Sequence, residues 1–347
     1  MGARTNGTLP RTNGMRTLPQ EPHTNMSHDI GLSGESGSET EEYDSDTSLS
    51  EKAEERIDRR LLLAARSGDS MAMRDMAASD PDVLLRTTNH GSNCLHISSI
   101  HGHLEFCNDV VRLKQPLLAA NNESPMFIAA MRNSADIFDR LLAIPYSSHS
   151  GCAGDHALHA AARNGNSDIA KRVMETRPWL AKLPSRYGRT PMHHAVVCDQ
   201  VGVLRVLLEH DSSLGYIVAG TEDVPLLVSA AFHGHIGIAR EILNYCPDAP
   251  FRCKNGWTCL NTAVEADRLE FVKFVLRTPE LKKLVSMRDE QGKTALHYAV
   301  RKCNPKMVAA LLSHGGTDIT MLDNNCKQNY GCETDHNMVV IQSRADC

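Results

Sequence analysis

The sequence predicts an all-α solenoid in which about eight helix–turn–helix units stack behind a disordered N-terminal tail. Three observations predict it. A set of positions recurs along the 347 residues with a period near 33. Small and long aliphatic side chains recur at fixed offsets within that period. Hydrophobic residues make up 41% of the chain and aromatics only 5%, so Leu, Val, Ile, Met and Ala must pack the core. That inventory suits thin helices in close contact better than a β-sandwich. A chain of this length exceeds one average domain, a limit that a repeat array does not obey.

The divisions of the chain are read as 1–50, 51–325 and 326–347. Residues 1–50 are polar and contain a near-duplicate, Arg4–Pro10 (RTNGTLP) against Arg11–Pro19 (RTNGMRTLP). From Glu35 to Glu55 there are nine acidic residues and one basic residue, Lys52. Such a stretch buries too little apolar surface to offset its ordering entropy. Ser50 is a helix N-cap candidate for Glu51 onward. Ser36, Ser38, Thr40, Ser45, Thr47 and Ser48 stand among carboxylates, a setting that suits either a solvating tail or acidophilic kinases.

The repeats are anchored on Arg59, Asn93, Ser124, His156, Thr190, Pro225, Thr258 and Thr294, spaced by 34, 31, 32, 34, 35, 33 and 36. Two positions after each anchor stand Leu61, Leu95, Met126, Leu158, Met192, Leu227, Leu260 and Leu296. Five positions after, seven of the eight residues are Ala and the other is Ser98. The frame predicts a first helix of about nine residues whose small side chains let neighbouring helices approach, because a larger residue there would overpack. Gly68, Gly102, Gly165 and Gly234 fall nine positions after their anchors, where a left-handed residue would end the helix. A second helix carries apolar pairs such as Leu141-Leu142, Leu207-Leu208 and Leu311-Leu312 on its inner face. Polar turns such as Ser185–Arg189 and Arg288–Gly292 lead to the next anchor. One unit cannot cover its apolar face alone, so stability must come from stacking. The first unit, over 59–80, is a degenerate cap, and 326–347 reads as an irregular tail.

The anchored motif resembles the T-P-L-H-x-A signature of ankyrin repeats over residues 59–325. The best copies are Thr190-Pro191-Met192-His193-His194-Ala195 and Thr294-Ala295-Leu296-His297-Tyr298-Ala299. More narrowly, Leu63–Asp69 (LAARSGD) and Met287–His297 (MRDEQGKTALH) resemble the plant ankyrin proteins of the accelerated-cell-death type. The resemblance implies a right-handed solenoid that binds other proteins, an adaptor in plant defence or stress signalling. Members of that family carry a C-terminal PGG membrane domain after the repeats. The alternative it implies is therefore the cytosolic ankyrin portion of a multi-pass, channel-like membrane protein. The location expected is cytoplasmic, or the cytosolic face of the plasma membrane.

The remaining observations point away from chemistry. A net charge of −5 does not call for nucleic acid. Residues 1–30 lack the apolar stretch of a signal peptide, and no run of 18 apolar residues occurs. Asn6 spoils a myristoylation pattern that begins at Gly2. The eleven cysteines form no C-x-x-C pair, and Cys94 and Cys259 occupy the Pro slot of the motif, so free thiols in a reducing compartment are expected. Among the 17 histidines, His96, His159, His193 and His297 fill the fourth motif slot, where an imidazole bonds a neighbouring turn. His193-His194 and His156-x-x-His159 offer metal ligands without a converging third, so no metal is expected. With no G-x-S-x-G, P-loop or G-x-G-x-x-G there is no catalytic residue and no cofactor to propose, and the protein is read as a non-enzyme. The candidate partner-binding residues are basic and aromatic and lie on the turn tips: Arg186, Tyr187 and Arg189; Arg252, Lys254 and Trp257; Arg288 and Lys293.

Overall fold

The computed structural model describes residues 56–114, 123–145, 147–219 and 224–317, with Met321 and Asn324. The expected disordered tail, the Ser50 cap, the hydroxyls from Ser36 to Ser48 and the tail over 326–347 lie outside the described residues.

Eight helix pairs follow one another among the described residues. They are α1 (Arg59–Ser67) with α2 (Ser70–Ser79), α3 (Cys94–His101) with α4 (Leu104–Leu113), α5 (Pro125–Met131) with α6 (Ala135–Leu142), and α7 (Ala157–Asn164) with α8 (Ser167–Thr176). The next four are α9 (Pro191–Val197) with α10 (Val201–His210), α11 (Leu226–His233) with α12 (Ile236–Tyr245), α13 (Cys259–Glu265) with α14 (Leu269–Arg277), and α15 (Ala295–Arg301) with α16 (Pro305–Leu312). Each first helix packs on the first helix of the next unit, from α1 to α15. Val218–Ala219 pairs antiparallel with Val224–Pro225, a small departure from the all-α expectation.

Seven of the eight anchors are the residue immediately before their helix. The exception is the first unit, where Asp58 is the cap and accepts from Arg60 N at 2.6 Å, so the frame there is one residue late. A carboxylate is a strong N-cap, whereas Arg59 has no acceptor to offer.

The residues two and five positions after the anchors are all at 4% exposure or less, which makes them the inner face of the first helices. Ser98, the one non-Ala residue at the second of these positions, satisfies its buried hydroxyl on the Leu95 carbonyl at 3.2 Å. In the second helices the expectation is only half right. The first member of each apolar pair is buried; the second is buried at Leu208 and Leu276, half-buried at Leu142 and Leu243, and 39% exposed at Leu312. Successive helical residues are separated by about 100°, so the second member lies at the edge of the inner face and is covered in some units and not in others. The buried face comprises the residue one turn earlier, its successor and the first member of the pair, joined by the second member in two helices, as Val203, Leu204, Leu207 and Leu208, and Phe271, Val272, Val275 and Leu276.

All eight positions that end the first helices are left-handed. Gly68, Gly102, Gly165 and Gly234 have φ between 76° and 82°, and Asn133, Asp199, Asp267 and Cys303 adopt φ between 51° and 59°. Asn and Asp tolerate this region; Cys does not. Cys303→Gly is therefore expected to stabilise the last unit by about 0.5–1 kcal/mol, the left-handed strain relieved less the added freedom of an unfolded Gly. A urea titration of the variant against the parent measures it, and an unchanged or lower midpoint contradicts it.

Candidate functional site

Three of the turns that lead into the anchors share one construction. In the fifth unit Gly188 N donates to Ser185 O at 2.9 Å and Ser185 N to Arg189 O at 2.8 Å. The seventh repeats this with Gly256 N to Cys253 O and Cys253 N to Trp257 O, and the eighth with Gly292 N to Asp289 O and Asp289 N to Lys293 O. The three closing glycines have φ of 71°, 82° and 76°. Gly at this position is required twice over. It supplies the left-handed backbone, and it lets the next turn approach: a Cβ on Gly256 would lie 3.0 Å from Asp289 Cα and Glu290 N. Neighbouring turns are joined main chain to main chain, Arg186 N to Ala153 O at 2.9 Å, Glu290 N to Asn255 O at 3.4 Å and Asn324 N to Gln291 O at 3.0 Å.

The eight candidate residues divide on this frame. Arg186 and Tyr187 occupy the tip of their turn, exposed, with Tyr187 at 70%, and among the described residues neither side chain has a hydrogen-bond or ionic partner. Lys254 holds the equivalent exposed tip position in the seventh unit. The others help to hold turns. Arg252 donates from Nε to the Gly256 carbonyl at 3.2 Å and from Nη2 to the Arg288 carbonyl at 3.4 Å. Arg288 Nε donates to the Gly292 carbonyl at 2.9 Å. Lys293 reaches Gln291 Oε1 at 3.1 Å, and its backbone N–H donates to Asp289 Oδ1 at 2.9 Å. Trp257 meets Tyr298 of the next unit edge-on, ring centroids 4.9 Å apart. Arg189 is half-buried, and its carbonyl accepts from His159 Nε2 at 2.9 Å. An arginine whose fork is already spent on carbonyls has fewer donors left for a partner.

Two of the motif histidines bond as the sequence suggests. His96 and His159 accept through Nδ1 from the backbone N–H of their caps, both at 3.2 Å. Their Nε2 atoms bond the carbonyls of Glu123 and Arg189 in the next unit. Each imidazole thus ties one unit to the next. Burial pushes His156 down to about 3 and His194 down to about 2, so both are neutral at physiological pH.

The structure adds a residue that the sequence pattern does not reveal. Asp155, just before its anchor, joins His159 and His194, with their ligand-type atoms within 4.8 Å of one another. Its position in the frame is legible from the sequence, but the direction of its carboxylate is not. Both nitrogens of His159 are already in hydrogen bonds, and Arg163 holds the Asp155 carboxylate, so the cluster is built as a buried joint between the fourth and fifth units.

A row of left-handed helix ends, motif histidines bridging units and glycine-closed turns in contact define a helical repeat protein of the interaction-module class. The chain belongs to the ankyrin-repeat family, whose pattern matches residues 126–216 and 226–323, more than half of its length. The Arabidopsis thaliana protein XBAT31, named provisionally as an E3 ubiquitin-protein ligase, is 27% identical over 48% of this chain and 38% of its own length. Notch homolog protein 1 of Xenopus tropicalis is 29% identical over 40% of this chain. The match spans only 5% of that Notch protein. The solved ankyrin repeat domain of Bcl-3 aligns with a TM-score of 0.55 at 19% identity, covering 64% of this chain and 99% of that domain, a likeness of fold.

Ankyrin repeats make this chain a protein–protein interaction scaffold, a fold whose general use is binding rather than catalysis. No helix among the described residues is long and apolar enough to cross a membrane. Of the eight described cysteines, five are buried.

Proposed function

We propose that the chain is an adaptor that captures a partner protein on its turn tips, with the Arg186–Tyr187 tip as the principal contact and Lys254 as a second. The observation that carries the reading is the contrast at the tips. The backbone there is locked by hydrogen bonds within and between turns, while a cation and an aromatic ring stand exposed without internal partners. A rigid frame that presents Arg and Tyr costs little ordering entropy on binding, which is the composition and condition of a hot spot. Arg189, Arg252, Trp257, Arg288 and Lys293 support the tips from behind.

The setting proposed is plant defence or stress signalling in the cytoplasm. It is supported by the likeness of Leu63–Asp69 and Met287–His297 to the accelerated-cell-death-type ankyrin proteins and by a plant relative among the matches. The test is quantitative affinity capture from plant tissue with the full chain and with Arg186→Glu combined with Lys254→Glu. The double variant is expected to lose at least tenfold in recovery of its specific partners while its circular dichroism and melting are unchanged. Equal recovery would mean that the tips are not the binding surface.

A further inference from the structure

The sequence contains the tripeptide His-Gly-His twice, as His101-Gly102-His103 and His233-Gly234-His235, at the same place in two repeats. The backbone roles are the same in both copies. The two rings stack, with centroids 6.1 Å apart in the first copy and 5.4 Å in the second. The second histidine reaches back across the end of the preceding first helix. His103 Nε2 bonds the Arg66 carbonyl at 2.8 Å, and His235 Nε2 bonds the Val197 carbonyl at 3.3 Å. Gly68 is needed for the first of these, since a Cβ there would come within 2.7 Å of the His103 ring.

The charge around the two copies is different. Beside the C-terminal copy, Asp199 places a carboxylate oxygen 3.6 Å from His235 Nδ1, and the corresponding residue of the N-terminal copy is Gly68. Val197 and Ala266 flank the C-terminal copy where Arg66 and Arg132 flank the N-terminal one. Arg268, the cation near the C-terminal copy, spends its Nε on the Phe232 carbonyl at 3.0 Å. Around His101 the fields of His103, Arg66 and Arg132 all act in the same direction, against a positive charge on the ring. His101 and Arg132 are exposed, Arg66 and His103 are half-buried, and among the described residues none of the four has a carboxylate within ion-pair distance. Three consecutive repeats thus present two arginines and two imidazoles on one face with no counter-charge in ion-pair contact among the described residues. An array that neutralises the same motif elsewhere leaves this copy electropositive.

We propose that this face, Arg66, His101, His103 and Arg132 at the ends of α1, α3 and α5, is a docking surface for an acidic segment of a partner protein. Carboxylates supply what the C-terminal copy obtains from Asp199: acceptors for the ring N–H groups and the guanidinium forks. Exposure lets a partner reach the cations, and among the described residues no ion pair has to be broken on binding. The inference rests on the reading of the array as a protein-binding scaffold but uses a different face from the Arg186–Tyr187 tip, so each can fail alone.

The test is fluorescence anisotropy of the full chain with a fluorescein-labelled decapeptide of Glu and Asp, at low and at 0.5 M salt. Saturable binding is expected, weakened by salt because the contact is solvent-exposed. Arg66→Gln with Arg132→Gln is expected to weaken it at least tenfold, and Arg186→Glu with Lys254→Glu less than twofold. Circular dichroism verifies the fold of each variant. The proposal is overturned by absence of saturable binding, by equal affinity in the Arg66→Gln, Arg132→Gln variant, or by tighter binding of a single-stranded oligonucleotide of equal charge.

Discussion

Acidification from pH 7 to pH 4 is expected to destabilise the array by several kcal/mol through two buried imidazoles, His156 and His194. Their folded-state values, about 3 and about 2, lie far below the 6.5 of an unfolded histidine, mainly because burial penalises the charged ring. For His194 the neighbouring Arg163 and Arg189 and the rings of His159 and His193 add to this, with the Asp155 carboxylate opposing. His156 faces His149 and His159. The unfolded chain therefore binds protons that the folded chain refuses, and stability rises with pH. The contribution is complete above pH 6.5 and is lost as the pH falls toward the folded-state values. Each ring contributes a slope of about 1.4 kcal/mol per pH unit, so the pair reaches an upper figure of about 7 kcal/mol by pH 4. Urea midpoints at pH 7, 5.5 and 4 measure the slope. His156→Asn, which keeps a good cap, combined with His194→Gln is expected to flatten it. A variant as acid-sensitive as the parent would show that other groups set the acid limit.

Leu158→Ala is expected to cost about 2–5 kcal/mol, the range for truncating a buried leucine without collapse of its surroundings. Leu158 is fully buried in α7, which packs on both α5 and α9, and Ala157, Ala160, Ala161 and Ala162 beside it are fully buried as well. A wall of alanines in van der Waals contact has no flexible side chain to move into the void, which places the loss in the upper part of the range. Equilibrium denaturation of the variant decides this. A loss below roughly 0.5 kcal/mol would place Leu158 on the surface and overturn the frame.

Much of this fold was legible before any coordinates. Seven anchors hold the cap position, five of them as Asn, Ser or Thr just ahead of an apolar run, and the alanine position is buried in every unit because only a small side chain fits between first helices. Left-handed ends at Asn133, Asp199, Asp267 and Cys303 were not legible, since a search for glycine finds only the four copies whose sequence announces the conformation. The inner face of the second helices was half legible: adjacent leucines stand out in a sequence, but whether the second is covered, as Leu208 is, or left exposed, as Leu312 is, depends on its neighbours. Of the site, the turn positions of Arg186 and Tyr187 could be read from the period. The engagement of Arg252 and Arg288 with carbonyls, and the arrival of Asp155 beside His194, depend on side-chain directions that no spacing encodes.

The main-chain bonds that join one turn to the next have a consequence for selectivity. Because the Arg186 amide is held by Ala153 and the Glu290 amide by Asn255, the two tips of each of these neighbouring pairs cannot fan apart or close up one at a time. Each such pair behaves as adjacent teeth of a comb, with a pitch set by the packing distance between helices. A ligand with matching groups at another interval could not be accommodated by local adjustment, so discrimination would fall on distance along the comb as much as on chemistry at any single tooth.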